Sequence, residues 1–145
     1  MSWADKLVPE EFVVPESLEH PRFRLRKLTI HDVDEDLEAI RERVLPDGTP
    51  DPWLDTTRDE NLVDLGWHQK EFELRRSFAY TVVAPDESRV LGCVYLYPHG
   101  EADVEVVMWV RRGVWEEGLD ADLEQAVRAW IEEAWPFERA LYRDR

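Results

Sequence analysis

VEVVMWVRRGVWEEGLDADLEQAVRAWI, residues 104–131, changes its periodicity halfway along. Residues 104–111 read as a strand, with Glu105, Val107 and Trp109 on one face and Val104, Val106, Met108 and Val110 on the other. Beyond Gly118, Leu119, Leu123, Val127, Trp130 and Ala134 recur at helical intervals, and Pro136 ends the pattern. This is the strongest helical stripe in the chain. A strand passing into a helix through a short turn is where many α/β enzymes hold phosphates, because the first N–H groups of the helix are free and its dipole is positive there. Yet this junction carries Glu116, Glu117, Asp120 and Asp122. Acidic residues in a first helical turn stabilise it by about 0.3 to 1 kcal/mol each. The junction therefore has two readings: a helix start capped electrostatically by its own carboxylates, or an anion cradle that works against them.

Upstream, residues 78–84 (FAYTVVA) and 90–98 (VLGCVYLYP) flank the polar turn PDESR and read as an antiparallel hairpin. The turn PHGEAD then leads into the strand of residues 104–111, which completes a three-strand meander. Earlier still, residues 23–30 (FRLRKLTI) alternate apolar and basic side chains as a half-exposed strand does. Asp32 and Glu35 have capping-box spacing, and Val33, Leu37, Ile40 and Val44 continue at helical intervals. Residues 46–53 (PDGTPDPW) read as a loop without a regular element. Thr57 and Glu60 suggest a second capping box, followed by Leu62, Leu65, Gln69 and Phe72 on one helical face; Gly66 weakens that helix by up to about 1 kcal/mol relative to alanine. Pro9, Pro15 and Pro21 make residues 1–22 an extended arm rather than a helix. Residues 137–143 (FERALYR) read as a short last strand.

The order is thus strand, two helices, meander, helix, strand. It implies an α/β (α+β) domain over residues 23–145, with a mixed, mostly antiparallel sheet of about five to six strands flanked by helices. The strand–helix–strand step over residues 104–143 is a crossover onto a parallel neighbour.

Composition narrows the function classes. The chain of 145 residues carries 33 acidic and 18 basic side chains, a formal charge of −15. Phosphate backbones would be repelled, so nucleic acid is not an expected partner. No apolar run approaches the roughly 18 residues of a membrane span, and MSWADKLVPEE lacks a signal-peptide pattern; no membrane partner and a cytoplasmic location are expected. The single cysteine, Cys93, lies in a strand and reads as a small buried hydrophobe rather than a nucleophile. His20, His31, His68 and His99 show no ligand spacing, so no metal is expected.

The element order, together with RLRKLTIHDVDEDLEAI, VLGCVYLYP and residues 104–131, resembles the GNAT superfamily of N-acetyltransferases over roughly residues 22–143. In that family the strand, turn and helix of residues 104–131 bind acetyl-CoA through a loop of Gln or Arg, two residues, Gly, one residue, then Gly or Ala. Here Trp115 falls at the Gln or Arg position, Gly118 matches, and Asp120 replaces the second small residue. At about 6 Å and an effective dielectric near 20, one carboxylate repels one phosphate charge by roughly 3 kcal/mol, and by under 1 kcal/mol if water intervenes fully.

The resemblance implies acetyl-CoA as cofactor, with Trp109, Val110, Arg111, Arg112, Gly118 and Leu119 as its cradle. It also implies Glu105 as the base that deprotonates an amine. The family's thiolate-protonating tyrosine comes from a helix after the fifth strand; Tyr142 is the tyrosine at that end of this chain, and packing in the last strand is its other reading. The expected acceptor is a small-molecule or protein amine, cationic to suit the acidic surface. The sheet edge beyond the last strand would be covered by a homodimer or by the arm. The alternative reading is a non-catalytic GNAT-fold binding or regulatory protein that has lost acetyl-CoA.

Overall fold

The computed structural model describes residues 5–43 and 51–144. Val44 of the first helical stripe and residues 46–50 of the proline-rich loop lie outside the described residues. The elements are β1 (Ser17–Glu19), β2 (Arg24–Lys27), α1 (Val33–Ile40), α2 (Arg58–Glu73), β3 (Phe78–Val83), β4 (Val90–Tyr97), β5 (Val104–Val110), α3 (Arg112–Glu116), α4 (Leu119–Ala134) and β6 (Ala140–Tyr142). The strands lie in sequence order in one six-stranded sheet. Neighbours are antiparallel as far as β5. β6 runs parallel to β5, and the crossover that parallel pairing requires is made by α3 and α4.

Helices cover both faces, which is why every residue of β3 is buried. On one face Tyr80, Val82, Val94, Leu96, Val106 and Met108 join Leu119, Leu123, Val127 and Trp130 of α4 in the larger core. On the other, Ala79, Val83, Val90, Cys93 and Trp109 meet Val33 and Ile40 of α1 and Leu65 of α2. β4 approaches β5 closely at Gly92, which pairs with Val110; a Cβ added there would lie 2.0 Å from the Trp109 carbonyl oxygen.

Several boundaries differ from expectation. The first capping box sits three residues early: Thr29 caps the 3-10 turn Ile30–Asp32 that precedes α1, and the Asp32 carboxylate accepts from the Thr29 N–H at 2.9 Å. Arg26 holds the same carboxylate at 2.8 Å, so Asp32 is committed before it can cap α1. The second box, Thr57 with Glu60, starts α2 as expected. The proline-rich segment is not without structure, since Pro52–Asp55 forms a 3-10 turn capped by the Asp51 side chain. The last strand is shorter than residues 137–143, because Asp103 accepts from the N–H groups of Glu138 and Arg139 and holds them in a turn.

The extended residues at the start of the chain are built into the domain. Leu7 and Val8 are buried in the larger core. The Leu7 N–H donates to Arg75, whose guanidinium returns bonds to the carbonyls of Pro9 and Phe12. The Tyr80 hydroxyl donates to the Pro15 carbonyl at 2.6 Å. β1 then pairs with β2, so this segment covers the sheet edge opposite β6 rather than the β6 edge.

Candidate functional site

The site lies where β5 passes into α4. Where the resemblance implied a loop, the chain makes the short helix α3 and then turns through Gly118 at φ 83°, a left-handed conformation that suits glycine. Nothing lies within 4 Å of where a Gly118 Cβ would be. Gly118, the N-cap of α4, has no side chain to close the first turn. A cap from the N-cap residue itself is therefore absent. Asp122 is instead drawn to Arg22, which donates to it at 2.7 Å and to the Glu117 carbonyl at 3.2 Å. Arg22 thus brings a positive charge to a helix start that reads as purely acidic in sequence. Glu116 and Glu117 are exposed, as is Trp115. Leu119 points its side chain into the core, leaving its backbone N–H as its polar contribution to this turn.

Arg111, expected in the cofactor cradle, is committed elsewhere. It is 3% exposed, donates to the Val90 carbonyl at 2.9 Å and to Glu38 at 3.0 Å, and binds Glu42 as well. It clamps α1 to the end of β5. The Arg112 N–H donates to the Glu42 carbonyl, while its side chain is exposed. Val110 is core. Trp109 donates from Nε1 to the Tyr95 hydroxyl at 3.1 Å, under the guanidinium of Arg43. Arg43 is held in turn by the buried Asp51 at 3.0 Å.

Glu105 and Tyr142 are separated by the sheet. Tyr142 pairs with Val106 and shares its face, where the Arg128 guanidinium stacks 3.8 Å from its ring centre. Burial raises the Tyr142 phenol above its ordinary value. Glu105 points the other way, bound by Arg143 at 2.9 Å. The phenol on its own face is Tyr97, its direct partner across β4 and β5. Burial, with Asp64 as the next cause, raises the Tyr97 phenol well above its ordinary value, so it stays protonated at neutral pH. Tyr97 stacks on Tyr95 at 5.6 Å, and His68 of α2 stacks on Tyr95 at 5.0 Å. The His68 Nε2 lies 3.5 Å from Asp64. Alternation along β4 already separates Tyr95 and Tyr97 from Val94 and Leu96; only α2 shows which pair faces the site.

Beneath α1, the buried Asp36 accepts from Asn61 Nδ2 at 3.0 Å and from the Cys93 thiol at 3.4 Å. Burial raises the Asp36 carboxyl, and it also raises the thiol. The Asn61 Oδ1 has no partner among the described residues, so a turned amide would accept the proton of a neutral Asp36. A carboxyl raised in the folded state gives its full stabilisation below the unfolded pKa of about 4, and loses it as pH rises through the folded value. Asp36→Asn removes that loss. In urea denaturation the variant is expected to gain on the wild type as pH rises above the unfolded value of about 4; a difference that stays constant with pH would show that Asp36 ionises without penalty.

Among the described residues no group of three or more His, Cys, Asp or Glu side chains could hold a metal ion, and no helix is long and apolar enough to cross a membrane. No protein-family model and no curated protein matches the sequence. Solved structures do match. One named as a GnaT-family acetyltransferase from Bordetella pertussis superposes with a TM-score of 0.61 at 16% identity, covering 83% of this chain and 74% of its own. One named as a ribosomal-protein-serine acetyltransferase from Vibrio cholerae gives 0.66 at 14% identity, covering 80% and 67%. A GNAT-family acetyltransferase from Bacillus anthracis gives 0.56 at 15% identity, covering 81% and 67%. With its mixed sheet, its parallel last strand and the strand–turn–helix at Gly118, the chain has the GNAT fold.

Proposed function

We propose that the protein is an acyl-CoA-dependent N-acetyltransferase acting on a cationic amine, with the first turn of α4 as the seat of the cofactor's diphosphate. The observation that carries this reading is the open start of α4: a left-handed Gly118 at the N-cap with free space beside it, and a guanidinium within reach. The backbone donors fit an anion, and Arg22 offsets one of the nearby carboxylates. Acetyl-CoA supplies an activated thioester when bound. The chain's own residues supply proton handling: Glu105, oriented by Arg143, accepts the proton of the acceptor amine, directly or through water. Tyr97 takes the donor role that the resemblance gave to Tyr142, because it shares the face of Glu105 and keeps its proton. Trp109 and Val110 line the end of β5 between these groups and α4.

A non-catalytic GNAT-fold protein is the second reading, favoured by one observation: Glu116, Glu117 and Asp120 remain around the same turn. Calorimetry with acetyl-CoA separates the two. The wild type is expected to bind in the millimolar range, Arg22→Ala several-fold more weakly, and the triple variant Glu116→Gln, Glu117→Gln, Asp120→Asn at least about tenfold more tightly. Absence of binding by both the wild type and the neutralised variant would leave only the second reading.

A further inference from the structure

Helix α2 carries a second stripe besides the one it packs on the sheet. Its inner side buries Asn61, Leu65 and His68. On the outer side Val63, Trp67, Lys70 and Leu74 follow one another at steps of four, three and four residues, the spacing of a helix–helix seam. Val63 is 74% exposed, Trp67 43% and Leu74 38%. Ile30, also exposed, lies alongside: its N–H donates to the Gln69 side chain at 2.9 Å, and its Cγ2 is 3.8 Å from where a Gly66 Cβ would be. Four of the seven exposed large apolar side chains among the described residues thus gather on one side of one helix, whereas scattered single ones would need no explanation.

The order along the stripe says what fits it. Reversed about a point between residues 68 and 69, the series sets Leu74 opposite Val63 and Lys70 opposite Trp67. A two-fold axis there makes each pairing occur twice, apolar on apolar and ammonium on indole, as a contact between identical copies requires. A partner of other chemistry would not need the stripe to match itself. Lys70 is largely exposed, and its ion-pair partner among the described residues is Glu73 at 3.8 Å. The reversal also brings the acidic first turn, with Asp59 and Glu60, toward Arg75 and Arg76 beyond the last turn, and sets the two helix dipoles antiparallel. A chain of charge −15 repels its own copies over most of its surface, so an apolar stripe that carries a cation is where two can meet. The stripe also borders the candidate site, since Trp67 meets His68 edge-on at 4.9 Å and His68 stacks on Tyr95.

We infer that α2 is a homodimer interface, in which two copies pack antiparallel along Val63, Trp67, Lys70 and Leu74. This does not rest on the acetyltransferase reading. A seam about 24 Å long falls at the low end of specific interfaces, so the dimer is reversible, with dissociation expected at roughly 10 to 100 µM. Sedimentation velocity from about 5 to 500 µM, in about 0.3 M NaCl to screen the net charge, is expected to show the mass rising from one chain toward two. Val63→Lys, which lowers the net repulsion, and Trp67→Ala are both at exposed positions and are expected to weaken association about tenfold or more. Trp115→Ala, at an exposed tryptophan of α3, leaves it unchanged. Register is read by cross-linking. Within one chain positions 63 and 74 lie about 16 Å apart along the helix, too far for a disulfide. The native Cys93 is buried. The double variant Val63→Cys, Leu74→Cys is therefore expected to give a disulfide-linked dimer under mild oxidation, and neither single variant to do so. A mass of one chain at every concentration would overturn the interface and leave the stripe to a different protein. A dimer that both Val63→Lys and Trp67→Ala leave intact would overturn it too, in favour of another surface such as the β6 edge. Ready cross-linking of either single variant would overturn the antiparallel arrangement.

Discussion

Replacing Arg111 with alanine is expected to destabilise the protein by about 3 kcal/mol, the low end of the range for removing one partner of a buried pair. The low end applies because Glu38 and Glu42 are exposed enough to regain water once the guanidinium is gone. The Val90 carbonyl lies beside a buried guanidinium nitrogen and loses its donor without that recourse, and a cavity remains in place of the long side chain. At this chain length the loss corresponds to a fall in Tm of roughly 10 °C. Arg111→Met, which keeps the apolar stem, is expected to lose about half as much. A guanidinium chloride midpoint for Arg111→Ala within about 0.5 kcal/mol of the wild type would return Arg111 to the pool of residues free to meet a ligand.

Gly92→Ala is expected to cost at least as much, about 3 kcal/mol, for a different reason. The new methyl group would meet the Trp109 carbonyl oxygen at 2.0 Å and the Val110 Cα at 2.8 Å. Both are backbone atoms in the middle of the sheet, so no side chain can swing away; β4 and β5 must part. The damage is then local to Trp109 and its bond to Tyr95, and the near-ultraviolet circular dichroism of the stacked aromatics should weaken along with the thermal midpoint. A Gly92→Ala protein with wild-type stability and an unchanged aromatic signal would mean that the strands are further apart than described. The glycine that follows an aliphatic pair in VLGCVYLYP thus has a steric cause.

The parts of the fold that were legible in sequence are those whose cause is local. The helical stripe of α4, the hairpin of β3 and β4 and the Thr57 cap each rest on residues within one or two turns of one another. The first cap was misplaced because Thr29 with Asp32 and Asp32 with Glu35 have the same spacing; the deciding group is Arg26, on the preceding strand. The site was harder to read because its decisive contacts are distant. Arg22 reaches Asp122 across 100 positions, and neither residue's neighbours announce the other. One signal does lie in the sequence: alternation along β5 puts residue 111 on the face of Glu105 and Trp109, the face that α1 covers. Extending it by one step separates the clamp Arg111 from the exposed Arg112. The same alternation places Tyr142 opposite Glu105 once β6 is known to pair Tyr142 with Val106, a register that sequence alone does not supply.

The way residues 5–22 are fastened also bears on how the chain reaches this state. Their anchors, Arg75, Tyr80, Trp135 and Asp122, lie far along the polypeptide. During synthesis β1 can pair with β2 at once, but residues 5–16 wait for Arg75, Tyr80 and Trp135 to be made. Until they dock, the apolar side chains of Leu7 and Val8 and the face they cover stay open to other chains. The late step in maturation is therefore the docking of residues 5–16 on the finished sheet and α4, and crowding among nascent copies acts on that interval.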